Sequence, residues 1–146
     1  MARWWKTMSR TDAQQPTKGY LVAYLRLTQN RGPLDPDVWF KNVLFAGATW
    51  TPGYFGRNSV EEATAAFQVF DGSSNLGLHQ LKLTHDDKRP LNHKHPATWI
   101  HWEGLQPYLQ GNNREDWYVV VERDSATSPP LTLRFVQQKP SWKPGT

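Results

Sequence analysis

The chain holds no cysteine among its 146 residues. That excludes a disulfide framework and any thiolate metal site, and it suits a reducing compartment. No apolar run approaches the roughly 20 residues that a membrane-spanning helix needs, so no membrane partner is expected. The opening Met1-Ala2-Arg3-Trp4-Trp5-Lys6 is too short and too basic to supply the apolar core of a signal peptide. There is no internal repeat and no low-complexity tract. Acidic residues are scarce at both ends. Residues 1–20 hold Asp12 against Arg3, Lys6, Arg10 and Lys18, and no acid follows Asp124 although Arg134, Lys139 and Lys143 do. The net charge of +4 is a weak hint of an anionic partner, but local excess of this kind is the footprint expected of phosphate contact.

What the sequence has in abundance is large rings: eight Trp, five Tyr and six Phe, which argue for a packed core and against disorder. The length suits one domain that needs no staple. Alternation marks strands at Tyr20 to Thr28, Glu62 to Phe70, Leu76 to His85, Ala97 to Trp102, Trp117 to Arg123 and Leu131 to Val136. Asp71 to Asn75 reads as a hairpin turn, and the mismatched phase of Leu78 and Leu81 suggests a bulge near His79. Asp35-Pro36-Asp37 opens a helix near 36–46 whose face is Trp39, Phe40, Val43 and Leu44, with Gly47 as its stop. A second helical turn is expected near 104–110, and residues 51–60 read as loop because of Pro52, Gly53 and Gly56. Six or seven short strands with two short helices imply a mainly β, barrel-like domain over 1–138, followed by a flexible tail or linker stub over 139–146.

Three kinds of chemistry compete for the polar residues. His79, His85, His93, His95 and His101 crowd together with Asp86 and Asp87, as a metal site would require, yet their spacing fits no zinc pattern. Asp71 followed by Asp86-Asp87-Lys88 loosely fits a magnesium nuclease, but the pattern is degenerate and falls on a turn and a loop. There is no Cys nucleophile and no Ser in an elbow motif, so no catalytic residue, cofactor or metal is assigned. The third chemistry is nucleic-acid recognition through two polar loops, 9–19 and 86–96. In the first, Ser9, Arg10, Thr11, Asp12, Gln14, Gln15 and Lys18 mix base-reading and phosphate-seeking side chains; in the second, Lys88, Arg89, Asn92, His93, Lys94 and His95 do the same. Ordinary solvated surface loops would have a similar composition.

A resemblance tips that balance. Trp5-Lys6-Thr7-Met8-Ser9-Arg10-Thr11-Asp12-Ala13-Gln14-Gln15, Leu25-Arg26-Leu27-Thr28 and Trp39-Phe40-Lys41-Asn42-Val43-Leu44-Phe45 resemble the DNA-recognition domain of restriction endonucleases of the NgoFVII and BfiI kind. So do Phe67-Gln68-Val69-Phe70, Gly77, the run at 81–85 and Thr98-Trp99-Ile100-His101-Trp102, and together these cover about residues 4–123. The resemblance implies a B-three-like fold, a seven-stranded open pseudobarrel with two short helices. It implies an N-arm at 9–18 and a C-arm at 86–95 that clamp the major groove of double-stranded DNA. It also implies a separate nuclease domain or subunit for cleavage, and a prokaryotic, cytoplasmic setting. The expected function is therefore sequence-specific duplex recognition without catalysis. A small metal-dependent nuclease or hydrolase built on 79–101 is the alternative, and a β-domain recognising sugar or protein through exposed Trp is a third.

Overall fold

In the computed structural model the described residues are 1–15, 22–27, 39–86 and 97–146. They form eight strands: β1 (Ala2–Thr7), β2 (Tyr24–Leu27), β3 (Thr51–Phe55), β4 (Asn58–Asp71), β5 (Ser74–Asp86), β6 (Ala97–His101), β7 (Tyr118–Arg123) and β8 (Leu131–Val136). A six-residue π-helical segment, Trp39–Leu44, and one helix, α1 (Leu105–Gly111), complete them. Seven strands run in the order β1-β7-β8-β4-β5-β6-β2, and β3 pairs with β4 beside that path. The sheet is nearly closed and barrel-like, so the mainly β architecture with two short helical elements holds.

Alternation explains the core. Leu25 and Leu27 of β2, Leu81 and Leu83 of β5, Ile100 of β6, Val119 and Val121 of β7 and Leu131, Leu133 and Phe135 of β8 all point inward. Trp4 and Phe40 close one side of this core edge to face, with centroids 6.1 Å apart. The seam between the end strands is bridged by Lys6, whose Nζ donates to the Arg26 carbonyl at 3.2 Å.

Several local expectations change. β1 was not foreseen, because Trp5 interrupts the apparent alternation of Ala2 and Trp4. Residues 51–60 are not loop but the β3–β4 hairpin, turning at Gly56 with φ of +63°. Pro52 is tolerated because, among the described residues, β3 pairs with β4 alone. Of the helix expected near 36–46, the described residues form the π-helical segment Trp39–Leu44; its proposed cap at Asp35-Pro36-Asp37 lies outside the described residues. Gly47, with φ of +88°, ends it as expected. The bulge sits at Leu76 rather than near His79, since Val69 pairs with Gly77 and Phe70 with Asn75. Leu78 and Leu81 differ in phase for a simpler reason: Leu78 is 63% exposed and Leu81 is buried. The C-terminal residues do not form a loose stub. Gly145 and Thr146 donate their N–H groups to the Arg3 carbonyl at 2.7 and 3.2 Å, and Trp5 donates Nε1–H to the Trp142 carbonyl at 2.7 Å.

Candidate nucleic-acid interface

Strand direction decides which loops share a surface. β1 runs antiparallel to β7, β7 to β8, and β8 runs parallel to β4. The end of β1, the start of β2, the β4–β5 turn and the start of β7 therefore lie at one end of the barrel. The β3–β4 turn, the end of β2, the end of β5 at Asp86 and the start of β6 at Ala97 lie at the other. The two loops expected to act as one clamp thus leave the barrel at opposite ends. Lys18 of the first loop and Lys88, Arg89, Asn92, His93, Lys94 and His95 of the second lie outside the described residues.

The described part of the first loop is a wound turn. Ala13 N–H bonds to the Ser9 carbonyl and Gln15 N–H to the Arg10 carbonyl, both at 3.0 Å. Ser9 and Asp12 cap it reciprocally: Asp12 N–H donates to Ser9 Oγ, and Ser9 N–H donates to Asp12 Oδ2, each at 3.1 Å. Asp12 is 7% exposed and also pairs with Lys6 Nζ at 3.1 Å. Gln14 is fully buried. Its Nε2 donates to the Thr11 carbonyl at 3.1 Å and the Val22 carbonyl at 2.7 Å, and its Oε1 accepts from Gln106 of α1 at 3.0 Å. Gln15 Nε2 donates to the Leu109 carbonyl at 3.0 Å. The assignment of Asp12, Gln14 and Gln15 to base edges is therefore corrected: their side chains bond inside the domain, tying the turn to Lys6 of β1, to Val22 ahead of β2 and to α1. Ser9 and Arg10 are exposed and Thr11 half-buried, and Arg10 pairs with Glu115 at 3.1 Å. The spacing Ser9-x-x-Asp12 carried the signal for this cap.

The acidic candidates are likewise engaged. Arg114 donates Nε–H to Asp71 Oδ1 at 2.8 Å and Nη2–H to Oδ2, where the Tyr108 hydroxyl also donates. The Arg114 bonds hold the Asp71 carboxyl below its ordinary range against the opposing effect of burial. The Asp71 bond raises Tyr108 in turn. Asp86 is 3% exposed. The described histidines do separate work. His85 Nδ1 shares a hydrogen bond with Thr98 Oγ1 at 2.8 Å, His101 Nε2 shares one with Thr84 Oγ1 at 2.9 Å, and His79 Nε2 meets the Leu76 carbonyl at 3.0 Å. Burial first, and then Lys82, push His101 down to about 4 while Glu62 opposes them, so the ring is neutral near pH 7. Among the described residues no three His, Asp or Glu side chains converge as a metal site.

None of the eight Trp is exposed. The feature that the sequence reading missed is an aromatic cluster on the outer face of the sheet. Tyr24 of β2, Trp99 and His101 of β6 and Phe55 of β3 all point away from the barrel core. The hairpin β3–β4 lays Phe55 against the other rings, with centroids 4.9 Å from both Tyr24 and Trp99 and 5.1 Å from His101. A cleft opens beside them, bordered by Arg57, Asn58 and Asp86. Its only advance signal was that the off-core positions of β2 and β6 are aromatic. Comparison with known protein families, with curated proteins and with solved structures finds no match.

Proposed function

We propose that this chain is a sequence-specific duplex-DNA-binding module, of the kind that serves a restriction nuclease, with cleavage left to another domain or subunit. The observation that supports it best is how the cations are shared between the two barrel ends. At the end that carries residues 8–15, Lys6, Arg10 and Arg114 are each held by a carboxylate, from Asp12, Glu115 and Asp71. At the opposite end Arg57 stands exposed in a tight turn and makes no ion pair among the described residues. The segment 87–96, which in sequence carries Lys88, Arg89 and Lys94, is anchored at that same end by Asp86 and Ala97. An exposed cation with no ion pair among the described residues, beside a segment that is basic in sequence, suits a phosphate backbone, whereas neutralised cations do not. The DNA-facing surface is therefore assigned to the Arg57 end, and the 9–15 turn to support.

The test is selection of bound duplexes from a random library, followed by anisotropy titrations of the preferred duplex over a range of salt. A preferred sequence whose affinity falls steeply with salt is expected. No binding at low salt, or binding indifferent to both sequence and salt, would remove this reading.

A further inference from the structure

The outer cleft has the makings of a site for one planar ring. Its walls are Tyr24, Phe55 and Trp99, from three strands far apart in sequence. Their planes stand nearly perpendicular to one another, at 84° for Tyr24 and Phe55, 83° for Phe55 and Trp99, and 82° for Tyr24 and Trp99. The cavity measures about 280 Å³. Sites for drug-sized ligands run roughly 300–1,000 Å³, so this one suits a single ring system better than a larger ligand. The apolar walls are joined by two exposed polar groups: the Asn58 amide, which can donate and accept, and the Arg57 guanidinium on the turn. An aromatic wall for stacking, hydrogen-bonding groups for a ring edge and a cation for a neighbouring phosphate are together what a nucleotide presents. A quaternary ammonium fits less well. A cation cage needs several ring faces turned toward one point, whereas these rings pack edge to face on one another and border the cleft from one side, and Arg57 would repel a cation there.

We infer that the cleft between the β3–β4 turn and the outer face of β2 and β6 binds a single nucleobase, with Arg57 meeting the phosphate beside it. The base comes either from a free nucleotide or from a duplex by extrusion. The cleft lies at the barrel end assigned above to DNA, so extrusion is the source chosen; that choice, but not the slot itself, rests on the DNA-binding reading. Extrusion exchanges stacking inside the duplex for stacking on the half-buried rings of Phe55 or Tyr24, and it is easiest where the base is mispaired.

The experiment uses the full chain and one reporter, 2-aminopurine, which brightens when it leaves a base stack. It is placed at each position in turn of the preferred duplex, and separately supplied as the free nucleoside monophosphate. At one duplex position a several-fold change in emission is expected on binding, and a mismatch there should tighten binding about tenfold. Asn58→Ala and Arg57→Ala, both at exposed positions, should reduce the mismatch advantage at least threefold, and Trp99→Ala should abolish the emission change. Because Trp99→Ala strips a buried ring, Phe55→Leu is paired with it, and unfolding midpoints are compared for both. If the duplex binds but no position changes emission and no mismatch helps, the slot is wrong and the DNA reading stands. If no duplex binds but the free nucleotide does, and Asn58→Ala and Phe55→Leu weaken it, the slot stands with free nucleotide as its source and the DNA reading falls. If neither binds, both fall.

Discussion

The two ends of the barrel use similar residues for opposite purposes. At the end that carries residues 8–15, polar side chains are turned inward. Asp12 caps its own turn, Gln14 joins Thr11, Val22 and Gln106, and Asp71 gathers Arg114 and Tyr108. Beside the Arg57 turn, rings from β2, β3 and β6 sit on the outer face of the sheet and border a cleft. A polar loop becomes rigid when its donors and acceptors find each other, and it then has little left to offer a ligand. On the reading proposed above, the end where Arg57 makes no ion pair among the described residues is the one left for recognition.

The sharpest way to break this comparison is to remove Asp71. Asp71→Ala leaves Arg114 without its carboxylate in a poorly hydrated site, and it should cost about 3 kcal/mol in urea unfolding. Duplex affinity measured well below the unfolding midpoint should be unchanged. A loss of affinity with no loss of stability would place function at the wrong end. Next in size is Asp12→Ala, which removes one arm of the reciprocal cap and the partner of Lys6. It should destabilise by about 2 kcal/mol and leave the salt dependence of DNA binding as it was.

Acid should act through His101 at the outer cluster. The folded chain holds this ring at about 4 against an ordinary 6.5, so the unfolded chain takes up the proton first. Its contribution to stability is steady above pH 6.5, declines as pH falls from 6.5 to about 4, and changes no further below that. Asp71, held below its ordinary 3.8, adds its own loss only at still lower pH. His101→Gln should flatten the unfolding midpoint between pH 4 and 6.5 relative to the unaltered chain; equal slopes would contradict the assignment. The smallest effect on folding belongs to Arg57→Ala, within about 0.5 kcal/mol because the side chain is exposed. On the reading proposed above, it should make the slope of log affinity against log salt shallower by about one unit.

Much of the fold could be read ahead of the structure, and the reasons are local. β8 alternates Leu131, Leu133 and Phe135 without interruption, and its range is the one expected from that pattern. The β4–β5 hairpin declares itself through Asp71-Gly72 between two alternating runs. β3 was hidden because few of its residues face the core, so periodicity had nothing to report. The first loop misled for another reason. Arg, Asp and Gln are what base readout needs, and they are also what a capped turn needs; composition alone does not separate the two, and the spacing Ser9-x-x-Asp12, which suits a reciprocal cap, went unused. The outer cluster needed three dimensions. Tyr24, Phe55 and Trp99 meet only because the hairpin β3–β4 folds across β6 and β2, and alternation identifies an off-core face without saying what lies over it.

The hydrogen bonds from Gly145 and Thr146 to the Arg3 carbonyl have a mechanical consequence. β1 is the last strand on its side of the sheet path and is laddered to β7 alone among the described strands. Strands in that position are the first to peel away when a sheet opens locally. Here the two bonds to Arg3, with the bond from Trp5 to the Trp142 carbonyl, act as a latch across the strand. Opening β1 then means undoing the latch and the ladder together, which moves the weakest margin of the sheet elsewhere.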